Sequence, residues 1–352
     1  LKIIWLVVSN LRADHLGPYG NRWLPTKNIA QFAEAGCTFT GVQSTCADPL
    51  SIRSEWLTGK KNSNDQNFNP ADSLPKLLSA AGFKSALFTD NYPFLDFYEQ
   101  LNAFDMIVFV PGQGADRHCP ENFPLETFSE HKNHLKIITG VDSQPSADEI
   151  SRFLRNREID KTLKSPAERL FTAADRFLDQ LNSDDNYFVM IDVFGLTPPW
   201  FASNDFVQFR HPEDADSLAW PLAGTVDSKI PSSQPAVNFL RRSYADECVY
   251  YDSLLESFLS RIKNYFEAAK PFRFFLLSDV GPLIGDDGLI LENSSKDHPI
   301  QTHQPMIVLG HDIDDHSRND EPVSPVDLFA TTVEKTGIAT PPINDGKVID
   351  DL

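Results

Sequence analysis

The sequence predicts an α/β fold: a mostly parallel central sheet flanked by helices on both faces. Three observations lead there. Several short β-prone runs are apolar throughout rather than alternating, as strands covered on both sides are. Amphipathic stretches of helical period lie between those runs. The two kinds of segment alternate along the chain, which is the order of successive βα units.

Residues 2–8 (KIIWLVV) form the first strand. They lack the basic start and small-residue cleavage site of a signal peptide, so they belong to the fold. The chain starts at Leu1 without a methionine, so a segment upstream is expected, although no leader is visible. Residues 29–35 read as a helix that stops at Gly36, a residue suited to a left-handed helix end. Residues 46–59 read as a loop turning into a short helix. Residues 74–81 are helical up to Gly82, and 84–89 make the next strand. In 167–181 the apolar positions 170, 171, 174, 177, 178 and 181 keep a 3.6-residue period. Strand 187–193, a long amphipathic helix over 244–262, strands 272–277 and 305–309, and a helix over 325–336 before Gly337 complete the pattern. Residues 111–150 and 201–236 are polar and rich in Pro, and are expected as long surface loops carrying function. The turn-rich 340–352 is expected on the surface. No internal repeat is present, and 1–352 reads as a single domain.

Acidic residues number 50 and basic residues 31, a net charge of −19. That balance argues against nucleic acid, an anionic membrane surface or a polyanionic polymer as main partner. A 41% hydrophobic content supports a sizeable core, and no apolar run reaches the roughly 18 residues needed to span a bilayer. Cys37, Cys46, Cys119 and Cys248 lie far apart without a C-x-x-C, the pattern of buried thiols rather than of disulfides or a zinc site. Compartment and partner leave no mark on the sequence.

In open parallel sheets, ligands bind beyond the carboxyl ends of strands. Three segments follow strand ends, 8–15, 192–200 and 277–281, and the loop and short helix of 46–59 is a fourth candidate. Their order along the chain resembles the sulfatases of the alkaline phosphatase superfamily. The opening strand followed by Leu11-Arg12-Ala13-Asp14-His15-Leu16-Gly17 and Tyr19-Gly20 is similar to the family's strand, aspartate pair and L-R-x-D-x-L-G-x-Y-G. Arg53 to Gly59 resembles its R-x-x-x-L-T-G helix, Gly112 to Arg117 a G-Q-x-x-D-R segment of one bacterial subgroup, and Phe275 to Gly281 its S-D-H-G strand end. The blocks at 26–29, 36–40, 82–90, 285–289 and 323–338 follow in family order, while the smaller C-terminal subdomain is expected to be reduced or absent.

The resemblance implies a sulfuric ester hydrolase whose nucleophile, a formylglycine from C/S-x-P-S-R, sits at a helix N-terminus beside a Ca²⁺ or Mg²⁺ held by carboxylates. Carried over residue by residue, most of that set is replaced. The aspartate pair falls on Ser9 and Asn10, the nucleophile on Pro49, the histidine of D-P-H-E-P-W on Thr197 and that of S-D-H-G on Val280. The lysine that follows Gly288 falls on Leu291-Glu292. Arg53 and Asp279 remain, and are expected to pair with each other. Asp48-Pro49 fits an N-cap followed by Pro at the first helical position, which would set a carboxylate where the family receives sulfate.

The implied reading is therefore a sulfatase homologue without metal-dependent hydrolysis, acting in binding or regulation, with no metal expected at Ser9, Asn10, Asp279 and Val280. The alternative is a divergent sulfate or phosphate ester hydrolase of a small anionic ester, using Ser51 or a histidine from another loop, with Ca²⁺ or Mg²⁺ bound elsewhere; Cys46 is a rival nucleophile that would need a three-residue shift of its loop. Asp14 and His15 are expected to be framework. His298, His303, His311 and His316, with Asp297, Asp312, Asp314 and Asp315, form a cluster that reads as a solvated loop before a weak ion site. Asp286-Asp287-Gly288 reads as a turn, and Trp200 as core or pocket wall.

Overall fold

The computed structural model describes all residues except 62–68, 114–135, 161–163, 183, 202–205, 212–213, 215–216, 227–232, 269–270, 292–297, 340–343 and 351. Cys119, Glu292 and Asp297 lie outside the described residues, as does most of the G-Q-x-x-D-R segment. The strands are β1 (Lys2–Val8), β2 (Cys37–Phe39), β3 (Lys84–Thr89), β4 (Met106–Phe109), β5 (Lys136–Ile138), β6 (Tyr187–Val193), β7 (Ser217–Ala219), β8 (Gly224–Thr225), β9 (Phe272–Leu277), β10 (Ile284–Asp286), β11 (Leu289–Ile290), β12 (Met306–Gly310) and β13 (Ser317–Asn319). The helices are α1 (Lys27–Ala33), α2 (Pro49–Thr58), α3 (Leu74–Ala80), α4 (Leu95–Leu101), α5 (Ala147–Asp160), α6 (Pro166–Leu178), α7 (Ser233–Ala268), α8 (Pro299–Thr302) and α9 (Pro325–Lys335). Among the described residues no helix is long and apolar enough to cross a membrane.

Eight strands form the central sheet in the order β13-β2-β12-β9-β1-β6-β3-β4. All neighbours are parallel except those of β12, which runs against β9 and β2. The chain comes back from β9 through short elements at the same edge. Met306, which opens β12, therefore pairs with Leu277, which closes β9. The alternation of β1 feeds both faces. Ile4, Leu6 and Val8 pack with residues of α1, α6 and α7, while Ile3, Trp5 and Val7 pack with residues of α2, α3 and α9.

The long apolar runs fold as read, with three differences. The helix expected over 244–262 starts at Ser233, because Pro235 lies in its first turn, where a missing N–H breaks no bond. Helix α5 occupies part of an expected loop. Its start is a reciprocal cap, in which Glu149 N–H donates to Ser146 Oγ (3.2 Å) and Ser146 N–H to Glu149 Oε2 (2.7 Å). The two expected surface loops also supply β5 and β7, which pair in parallel and bury Leu218 and Ala219.

Helix α1 is capped from far away. Thr26 makes no side-chain cap bond, and Asp252 of α7 takes the N–H groups of Asn28 (3.1 Å) and Ile29 (2.8 Å).

Gly36 acts through space rather than through a left-handed backbone. A Cβ there would lie 2.2 Å from the Val308 carbonyl oxygen, in the strand next to β2. Gly36→Ala is expected to cost about 1–3 kcal/mol, read by urea denaturation.

Candidate functional site

The carboxyl ends of β1, β3, β6 and β9 meet at one edge of the sheet. They deliver Ser9 and Asn10, Asp90 and Asn91, Asp192, and Ser278 and Asp279, all buried except Asn10, which is half-buried. Helix α2 starts above this edge. Asp48 caps it, accepting from Ser51 N–H (2.8 Å) and Ser51 Oγ (2.5 Å), and Pro49 takes the first helical position.

One turn into α2, Arg53 points into the sheet edge and is fully buried, at 0% exposure. All five guanidinium N–H donors are used. Nε and Nη2 grip Asp192 at 3.0 and 2.7 Å, and Nη1 donates to Asp279 at 2.7 Å. The remaining two go to Ser9 Oγ (2.7 Å) and the Pro49 carbonyl (3.0 Å). The Phe94 ring covers one face at 3.9 Å. Burial opposes the charge, but Asp192 and Asp279 outweigh it and hold the guanidinium pKa well above its ordinary value.

The partners are equally committed. Asp279 Oδ1 accepts from Asn10 N–H (2.8 Å) and Val280 N–H (2.6 Å). Asp192 Oδ2 accepts from Tyr98 OH (2.6 Å), and Ser9 Oγ accepts from Asn91 Nδ2 (2.9 Å). Burial, joined by the Asp192 charge, raises the Tyr98 pKa well above its usual value. Asn10 adopts a left-handed φ of 60° and donates from Nδ2 to Thr197 Oγ1 at 2.8 Å, while Thr197 donates to the Phe194 carbonyl at 2.6 Å. Gly195 (φ 62°) packs against the β1 end so closely that a Cβ would lie 2.5 Å from Ser9 O.

The structure thus brings Ser9, Asn10, Arg53, Thr197, Asp279 and Val280 to one place, with Pro49 supplying only its carbonyl. Sequence reasoning paired Arg53 with Asp279 and missed Asp192, Tyr98 and Asn91. The available signal was an aspartate inside the otherwise apolar run 187–193.

The other candidates separate. Cys46 is half-buried, and burial raises its thiol pKa. Asp14 pairs with Arg12 (2.7 Å) and lies 2.8 Å from His15 Nδ1, while Arg12 also reaches Asp286 (2.9 Å). Asp287 and Gly288 turn β10 into β11. Trp200 is core: it is buried, donates to Leu196 O at 2.7 Å and packs on Tyr244. The histidine cluster disperses. His303 bonds Thr40 O, His298 lies near Asp287, and Asp312 pairs with Arg273. Among the described residues no group of three or more His, Cys, Asp or Glu side chains is placed to share a metal ion.

A mostly parallel sheet with polar residues gathered at its carboxyl edge defines an open α/β protein with its candidate site beyond the strand ends. The Sulfatase family model matches residues 2–338, and the chain belongs to that family. Among curated proteins none matches it in sequence. Its fold is similar to the phosphonate monoester hydrolase of Agrobacterium radiobacter, with 16% identity, TM-score 0.62, and coverage of 99% of this chain and 76% of that one. The C-terminal periplasmic domain of phosphoethanolamine transferase EptC from Campylobacter jejuni is similar at 16% identity, TM-score 0.61, and coverage of 96% and 89%. A protein solved with its substrate D-glucosamine-2-N,6-O-disulfate is similar at 14% identity, TM-score 0.65, and coverage of 99% and 78%.

Two outcomes follow from the buried charges. Arg53→Ala leaves Asp192 and Asp279 uncompensated and is expected to cost about 3–5 kcal/mol in denaturant unfolding. Burial pushes the Asp90 carboxyl up to about 7, Asp192 adds to the rise, and Gln113 and the Phe194 N–H oppose it. In the unfolded chain this group titrates near about 4. Folded molecules therefore keep a proton that unfolded ones lose, and stability falls as pH rises between the two values. Asp90→Asn is expected to flatten that decline, read as Tm at pH 5 against pH 8.

Proposed function

We propose that this sulfatase-family chain lacks metal-dependent sulfuric ester hydrolysis and acts instead by binding, in a recognition or regulatory role. The carrying observation is the Arg53 guanidinium, which lies between Ser9 Oγ and Asp279 with every donor spent and no exposure. Those two residues hold family metal positions. A protein cation there serves the charge balance that Ca²⁺ or Mg²⁺ serves in the resemblance.

The residues present do not fit a dication. Such ions take about six to eight oxygen ligands, mostly carboxylate. Here the positions offer a neutral Ser9, a neutral Asn10 whose amide bonds Thr197, an apolar Val280, and one carboxylate whose two oxygens already accept three bonds. Pro49 offers no nucleophile. The N-terminus of α2 is taken by Asp48, whose charge repels an anionic ester approaching Ser51 N–H.

One observation favours the second reading, a divergent ester hydrolase. Ser51 Oγ donates to the Asp48 carboxylate, a pairing that resembles a nucleophile with its base. Yet Arg53, two residues along the same helix, is buried with its donors spent, and does not serve the developing charge of an ester transition state beside that hydroxyl.

Both readings meet in one measurement: turnover of 4-nitrophenyl sulfate and 4-nitrophenyl phosphate with Ca²⁺ or Mg²⁺ added, alongside Ser51→Ala. The expected result is no turnover above the uncatalysed rate and no rise in Tm with either ion. Metal-dependent turnover overturns the first reading, and its loss in Ser51→Ala establishes the second.

A further inference from the structure

Beside the family edge lies a cavity of about 460 Å³, walled by α5, the start of α6, α7 and the loop after β6. Its size suits a small organic ligand. Arg53, Ser9 and Asp279 are not among its lining residues. The walls are largely aromatic, from Phe153, Phe194, Phe201, Phe206 and Tyr250.

Three charged residues line this space; Glu168 is engaged in the cap of α6, accepting from Ser165 N–H at 2.9 Å, and Glu247 and Arg157 remain. Glu247 of α7 is only 7% exposed. Its Oε1 accepts from Phe201 N–H at 2.5 Å, and among the described residues Oε2 has no hydrogen-bond donor. The guanidinium carbon of Arg157 in α5 lies over the Phe201 ring, 4.7 Å from its centroid, and among the described residues the guanidinium makes no hydrogen bond or ion pair. The two do not pair directly. Burial pushes the Glu247 carboxyl up to about 7, the Phe201 N–H, Arg157 and Arg210 pull it down, and Asp246 pushes it up. The second Glu247 oxygen is therefore left to accept a bond from whatever occupies the cavity.

We propose that this cavity binds a small aromatic zwitterion, such as an aromatic α-amino acid, with its carboxylate on Arg157 and its ammonium on Glu247. A planar guanidinium with free edges suits a carboxylate bidentately. A carboxylate alone would face the charge of Glu247, and an amine alone would face Arg157. A ligand carrying both poles satisfies both, and its ring fills the aromatic walls, where edge and face contacts add to burial. This gives a ligand class to the binding role proposed above and rests on that reading. Its test reads affinity rather than turnover, so the two fail separately.

The test is calorimetric titration at pH 8 with L-phenylalanine, 3-phenylpropanoate and 2-phenylethylamine. L-Phenylalanine is expected to bind at least about tenfold more tightly than either one-pole analogue, the scale of one charge-assisted hydrogen-bonded contact. Arg157→Gln is expected to remove its advantage over the amine, and Glu247→Gln its advantage over the acid, with Tm confirming that each variant folds. No binding of L-phenylalanine at millimolar concentration overturns the assignment. So does equal binding of all three ligands, a comparison that needs no variant. Tighter binding of 4-nitrophenyl sulfate than of L-phenylalanine also overturns it, and assigns Arg157 to an anion without an amine.

Discussion

A guanidinium buried between two carboxylates dictates how this sheet edge is built. Arg53 touches residues from the ends of β1, β6 and β9, and its own helix supplies the fifth acceptor. Burying so much charge is tolerable only because each donor and nearly each acceptor is answered. Removing any member exposes the rest to an unbalanced field in a dry setting. The geometry of Ser9, Asn91, Tyr98 and Asp192 follows from that requirement, since each satisfies a lone pair or donor that the ion cluster leaves open.

The same cluster separates two parts of the carboxyl edge. On one side, charge is internally neutralised and closed to solvent. On the other, across Thr197 and Phe194, lies an aromatic cavity lined by Arg157 and Glu247, which do not pair with each other. Polar groups that satisfy one another make structure.

The sheet was legible because strands buried on both faces need unbroken apolar runs, and 2–8, 84–89, 187–193 and 272–277 have them. The direction of β12 was not, since it depends on where the chain re-enters the edge rather than on residues 305–309. Helix α5 is polar enough to pass for loop, and only its Ser146–Glu149 cap betrays it. At the site, position-by-position likeness gathered Ser9, Asn10, Arg53, Thr197 and Asp279. Asp192 opens the 192–200 segment but escaped as a partner of Arg53 because the family likeness there begins only at Gly195, and Glu247 escaped because a carboxylate on an amphipathic helix reads as solvent-facing until α5 and the 194–201 loop are seen to cover it.

Helix α1 depends on a carboxylate 224 residues further along. While the ribosome is still making the middle of the chain, residues 27–33 have no partner for their leading amides. A fragment ending before residue 252 would leave these amides to water.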